Sequence, residues 1–177
     1  MNLFQLETPA LILDRGKIEK NISSLHKQLE ALQVNLRPHG KTAKNIDILR
    51  SALAGQAGGI TVSTIKEAEY YFEHGIVDIT YAVGIAPVKL ERLVKLIKKG
   101  AEISLLVDSI EQVGFVAARA QAHSLSIPVL IEIDCDGQRS GVSPDDPLLL
   151  EIGRLLHSEN GVVLKGVLTH AGGSYQC

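Results

Sequence analysis

Ile103-Ser104-Leu105-Leu106-Val107 and Val129-Leu130-Ile131-Glu132-Ile133 are short runs, apolar at nearly consecutive positions and rich in branched side chains. A strand with one wet face alternates polar and apolar residues. A parallel strand covered by helices on both faces reads as an almost unbroken apolar run, as these two do. Outward from them, similar short runs occupy 34–38, 59–63, 77–83, 102–107, 127–133 and 162–169, which makes six strand candidates. Between them lie stretches with helical spacing. Ile18, Ile22, Leu25, Leu29 and Leu32 put one apolar face on a helix expected over 17–33. Leu90, Leu93, Val94 and Ile97 do the same before Gly100, which reads as a C-terminal cap. So do Ile110, Val113, Val116, Ala117 and Ala120, and then Leu148, Leu149, Ile152 and Leu156.

This beat is that of βα units, and it fits either a doubly wound sheet or a (β/α)₈ barrel. A closed barrel takes about 250 residues and eight strands. The chain has 177 residues, so the barrel reading implies one that stops after about six βα units and leaves strand edges open to unwanted pairing. Thr8-Pro9-Ala10-Leu11-Ile12-Leu13-Asp14 stands apart from the beat as an extended segment suited to another sheet.

Eighteen basic and 20 acidic side chains leave a net charge of -2. That is no footprint for nucleic acid or an anionic membrane, which need clustered Lys and Arg. A content of 45% hydrophobic and 21% charged residues is that of a globular domain with a core. No apolar run approaches the roughly 20 residues needed to cross a bilayer. No secretory signal is visible at the N-terminus, and Cys135 and Cys177 form no disulfide framework, so a reducing, cytoplasmic setting is expected.

In parallel α/β architectures the chemistry collects where strands end at their C-termini. Here those ends are polar: Arg37-Pro38-His39-Gly40-Lys41-Thr42 after the first candidate strand, Ser63-Thr64 after the second. Asp134-Cys135-Asp136-Gly137-Gln138-Arg139-Ser140-Gly141 follows the fifth, and Thr169-His170-Ala171-Gly172-Gly173-Ser174-Tyr175 ends the sixth. A lysine in such a ring can be partly desolvated, which lowers its pKa and frees a nucleophilic amine suited to Schiff-base chemistry. Taken alone, a lysine after a strand is usually a solvated charge, and Arg139 could serve as an ion-pair partner of Asp134 or Asp136. His26, His74, His123 and His157 fall on helices or their ends and read as surface or satisfied structural residues. No second cluster completes a metal site around Asp134, Cys135 and Asp136. Gly55-Gln56-Ala57-Gly58-Gly59 matches no nucleotide-binding pattern.

Leu36-Arg37-Pro38-His39-Gly40-Lys41-Thr42-Ala43-Lys44, with the segment from Thr8 to Asp14, resembles the start of the D-threonine aldolase and D-serine dehydratase-like family. Glu132-Ile133-Asp134, Gln138-Arg139-Ser140-Gly141-Val142 and the stretch from Thr169 to Tyr175 resemble it in the same order. These are pyridoxal-phosphate enzymes with an alanine-racemase-type N-terminal barrel followed by a C-terminal β-domain. The resemblance implies a partial cofactor-binding barrel over 16–177, and a segment over 1–15 that pairs with the β-domain. It implies Lys41 as the lysine that forms the internal aldimine and moves protons at Cα. It implies Arg139 facing the cofactor's phenolic oxygen, Tyr175 near its pyridine nitrogen, and His39, His170 and, more weakly, Arg37 as groups that bind and position the cofactor or substrate. It further implies a D-amino acid substrate, aldol cleavage or β-elimination, and a homodimer. One departure is Ala43, where the family commonly has a second histidine. The family's phosphate loops and its divalent-metal ligands belong to later parts of the chain.

Two other readings compete with a lyase. One is a non-catalytic pyridoxal-phosphate carrier on the same barrel, which would bind cofactor and turn over no D-amino acid. The other is an inactive truncated product, against which a cooperative melt and a monodisperse mass would argue.

Overall fold

Helices begin where the sequence supplies an N-terminal cap. Asp14 accepts from the Lys17 N–H at 3.0 Å to open α1 (Arg15–Leu32). Asn45 opens α2 (Ile46–Leu53), Ser109 opens α5 (Ile110–Ala122), and Asp146 followed by Pro147 opens α6 (Pro147–Ser158). Thr64 and Glu67 form a reciprocal capping box at α3 (Ile65–Glu73), and α4 (Leu90–Lys98) continues from a short 3₁₀ turn at Pro87–Lys89. The structure, a computed structural model, describes residues 3–176. Met1, Asn2 and Cys177 lie outside the described residues, and with them the outer ends of the segments expected over 1–15 and 16–177.

The strands are β1 (Ile60–Val62), β2 (Asp78–Gly84), β3 (Glu102–Val107), β4 (Ile127–Ile133) and β5 (Val162–Thr169). All pair in parallel in the order β1-β2-β3-β4-β5. A doubly wound sheet reverses its strand order at a switch point, whereas strictly sequential order is that of a barrel wall. The sheet is therefore an arc of the expected barrel. Ile103, Leu105, Leu106 and Val107 of β3 are all buried, as are Val129 and Ile131 of β4. The apolar faces of α4 and α5 close over them through Leu90, Leu93, Val113 and Val116.

The structure corrects the sequence reading at two places. The candidate strand over 34–38 makes no ladder. It meets β1 in one parallel bridge, His39 with Thr61, held by Thr61 N–H donating to the Pro38 carbonyl at 2.9 Å and Gly40 N–H to the Thr61 carbonyl at 2.8 Å. Pro38 has no N–H to extend the pairing. Helix α1, expected to bury one apolar face, buries no residue. Leu32 is 70% exposed, and α1 packs chiefly against α2. The segment from Thr8 to Asp14 is exposed and belongs to no strand. No described helix is long and apolar enough to cross a membrane.

Candidate active site

Lys41 sits on the turn that follows the bridge between His39 and Thr61, at the C-terminal end of the strands. Gly40 just before it lets the chain press against α3. A Cβ there would come within 2.5 Å of the Tyr71 ring. In that space the Tyr71 hydroxyl donates to the Gly40 carbonyl at 2.8 Å. Buried Glu67 accepts from the N–H groups of Ser63 (2.8 Å) and Thr64 (3.2 Å), and it pairs with Lys44 at 3.2 Å. Burial alone would raise its pKa, but these donors hold its carboxyl below the usual range. The lysine turn is thus tied to α3 on both sides of Lys41.

Arg139 arrives from the other side, on the loop that leaves β4. That loop folds back on the strand end: Val142 N–H donates to the Glu132 carbonyl at 2.9 Å and Asp134 N–H to the Val142 carbonyl at 3.0 Å. The return needs Gly141, whose φ is +121° and whose missing Cβ would stand 2.8 Å from the Glu132 carbonyl oxygen. The Arg139 guanidinium meets His170 Nε2 at 2.9 Å; it forms no ion pair with Asp134 or Asp136. Those carboxylates take backbone donors instead, Asp134 from Arg139 N–H at 3.3 Å and Asp136 from Gly173 N–H at 2.5 Å. The second of these ties the β4 loop to the one after β5 and holds Asp136 below the ordinary carboxyl range.

His170 Nε2 lies also 3.0 Å from the Tyr175 hydroxyl. Arginine can only donate, so Nε2 accepts and the ring proton is on Nδ1. Slight burial and the charges of Arg139 and Lys41 lower the pKa of His170, which favours this neutral form. Tyr175, 76% exposed, stands edge-on to the His170 ring.

One cavity of about 670 Å³ is lined by Lys41, His39, Arg139, His170 and Tyr175, which the sequence singled out from three separate loops, and by Arg37. Its volume falls in the range of small-molecule sites, roughly 300–1,000 Å³. The Arg37 guanidinium turns down to Asp78 at the start of β2, at 2.5 and 2.9 Å. Although burial opposes it, that contact holds Asp78 below its usual pKa. Three groups escaped the sequence reading. Glu132, within the Glu132-Ile133-Asp134 motif, lines the cavity while buried. Glu67 and Tyr71 lie on α3, a helix too short for its periodicity to stand out; the Thr64-x-x-Glu67 capping box was its legible signal. Among the described residues no three His, Cys, Asp or Glu side chains are placed to hold a metal.

A model of the alanine racemase N-terminal domain matches residues 13–176. The chain belongs to that family. It is 46% identical over 175 residues to the D-threo-3-hydroxyaspartate dehydratase of Delftia sp. (strain HT23), covering 98% of this chain and 46% of the dehydratase. The solved structure of that dehydratase superposes with a TM-score of 0.93 over 97% of this chain and 45% of its own. The D-threonine aldolase from Filomicrobium marinum is 32% identical, with a TM-score of 0.83 over 93% of this chain and 44% of the aldolase. The resemblance drawn from the ordered motifs is borne out, and this alanine racemase N-terminal domain spans about half the length of the curated relatives it matches.

Proposed function

We propose that this domain is the cofactor-holding half of a pyridoxal-phosphate lyase that acts on a D-amino acid with a hydroxyl at Cβ. The observation that carries the reading is the cavity onto which Lys41, Arg139, His170 and Tyr175 converge from separate strand ends. Its residues fit the cofactor: an amine to bind it covalently, a fixed guanidinium for its anionic oxygen, and a neutral histidine–tyrosine pair as a polar wall. Pyridoxal phosphate, when bound, supplies the conjugated ring that takes up the electrons released at the substrate's Cα. Lys41 is the group that takes up or returns a proton at Cα. Arg139, kept cationic by its chemistry and aimed by His170, supplies a positive charge that costs no reorganisation during reaction. Dehydration and aldol cleavage both begin from such a site, and the relatives named above include one enzyme of each kind. The reading extends to a cytoplasmic setting and a second copy of the chain as partner.

The test mixes the purified chain with pyridoxal phosphate, reduces with borohydride and maps the labelled peptides. A visible absorption band with the adduct on Lys41 is expected. Adducts scattered over surface lysines would overturn the assignment. A screen of D-3-hydroxyaspartate, D-threonine and D-serine then separates a lyase from a carrier that binds cofactor without turnover.

A further inference from the structure

A run of hydrogen bonds leads from the end of β1 to the backbone of Lys41. The Lys41 N–H donates to Nδ1 of His39 at 3.2 Å. The other ring nitrogen, Nε2, lies 3.1 Å from the Ser63 hydroxyl. A neutral imidazole has one donor and one acceptor nitrogen. With Nδ1 accepting, the proton is on Nε2 and is donated to Ser63 Oγ. His39 is itself held at its backbone by the bridge to Thr61, so the ring has a fixed origin and two fixed partners. Both nitrogens are occupied inside the protein, although the ring edge lines the cavity.

We propose that His39 and Ser63 form a positioning pair for Lys41, in which the Ser63 hydroxyl aims the ring and the ring fixes the lysine backbone. The direction from which the Lys41 amine enters the cavity then depends on a neutral His39. A protonated ring carries N–H groups at both positions and turns a donor against the Lys41 N–H. The titratable groups around the ring are Lys41 on its own turn, Glu67 from α3 and His170 from the loop after β5. Burial comes first in keeping the ring neutral, Lys41 and His170 add to it, and Glu67 opposes. The inference rests on Lys41 as the reactive amine, as proposed above.

The experiment uses the whole chain. Nitrogen NMR of the labelled histidines reads the His39 tautomer without cofactor, and the share of pyridoxal-phosphate adduct on Lys41 reads its presentation. The unaltered chain is expected to show Nε2–H at His39, and Ser63→Ala is expected to blur that preference. His39→Ala should cut the Lys41 share about tenfold, the scale of one lost hydrogen bond. His39→Asn, whose side-chain oxygen can take the place of Nδ1, should restore most of it and remove the acid-side loss that the unaltered chain shows as His39 protonates. Circular dichroism confirms that each variant folds. An Nδ1–H tautomer, or undiminished Lys41 selectivity in a folded His39→Ala, would overturn the positioning pair. An adduct that misses Lys41 in the unaltered chain, with the Nε2–H tautomer intact, would instead sink the cofactor reading and leave the pair standing.

Discussion

Leu105 in β3 and Leu164 in β5 flank the same residue, Val129 of β4, at one level of the sheet. Leu105 is fully buried and Leu164 is 40% exposed. Both strands are rich in apolar residues, yet β3 is buried from Ile103 to Val107 while only Val162 of β5 is buried. What separates them is neighbours. β3 lies between two strands, whereas β5, with α5 and α6 packed against it, has a strand partner on one side only among the described residues. Apolar sequence makes a strand; a second neighbour makes it core.

The same substitution at the two leucines tests this contrast. Leu105→Ala should cost about 2–5 kcal/mol in chemical denaturation, the range for removing a fully buried leucine side chain. Next in size is Glu132→Gln. Burial, reinforced by Asp108 and Asp134, pushes the Glu132 carboxyl above its ordinary range, and no side chain offers it a hydrogen bond among the described residues. An acid with a raised pKa holds its proton longer in the folded chain than in the unfolded one. Folded stability therefore falls as pH rises from the ordinary carboxyl range through the folded value. Glu132→Gln should stabilise at neutral pH by on the order of 1 kcal/mol, with no gain in acid below that range. Thermal melts across pH would check it, and a gain that persists in acid would refute the electrostatic cause.

The smallest effect belongs to Leu164→Ala, which should cost under about 1 kcal/mol because part of its surface is already wet. If it costs as much as Leu105→Ala, something covers β5 in solution. A melting temperature that rises with protein concentration would then identify a second copy of the chain as the cover.

Of the candidate site, the residues proposed to carry the chemistry were readable because they follow strand candidates: Lys41 after His39-Gly40, Arg139 after β4, His170 after β5. Their partners were not. Nothing local says that Arg139 would turn to His170, 31 positions away, or that Arg37 would turn down to Asp78. Asp134 and Asp136 were nearer in sequence as partners for Arg139, and the loop geometry instead gave them to backbone N–H groups. Tyr71 and Glu67 shape the lysine turn from a helix whose nine residues show too little periodicity to announce themselves.

The sequence by itself determined the parallel βα beat, the ends at which reactive groups gather and the identity of those groups. These follow from hydrophobic spacing and turn chemistry, which act over a few residues. Only the tertiary structure decided that α1 and β5 keep their apolar faces wet, that Glu132 is buried beside a cavity and that His39 aims its ring at Lys41. Burial and hydrogen-bond partners depend on which elements arrive from elsewhere in the chain, and that information is not local.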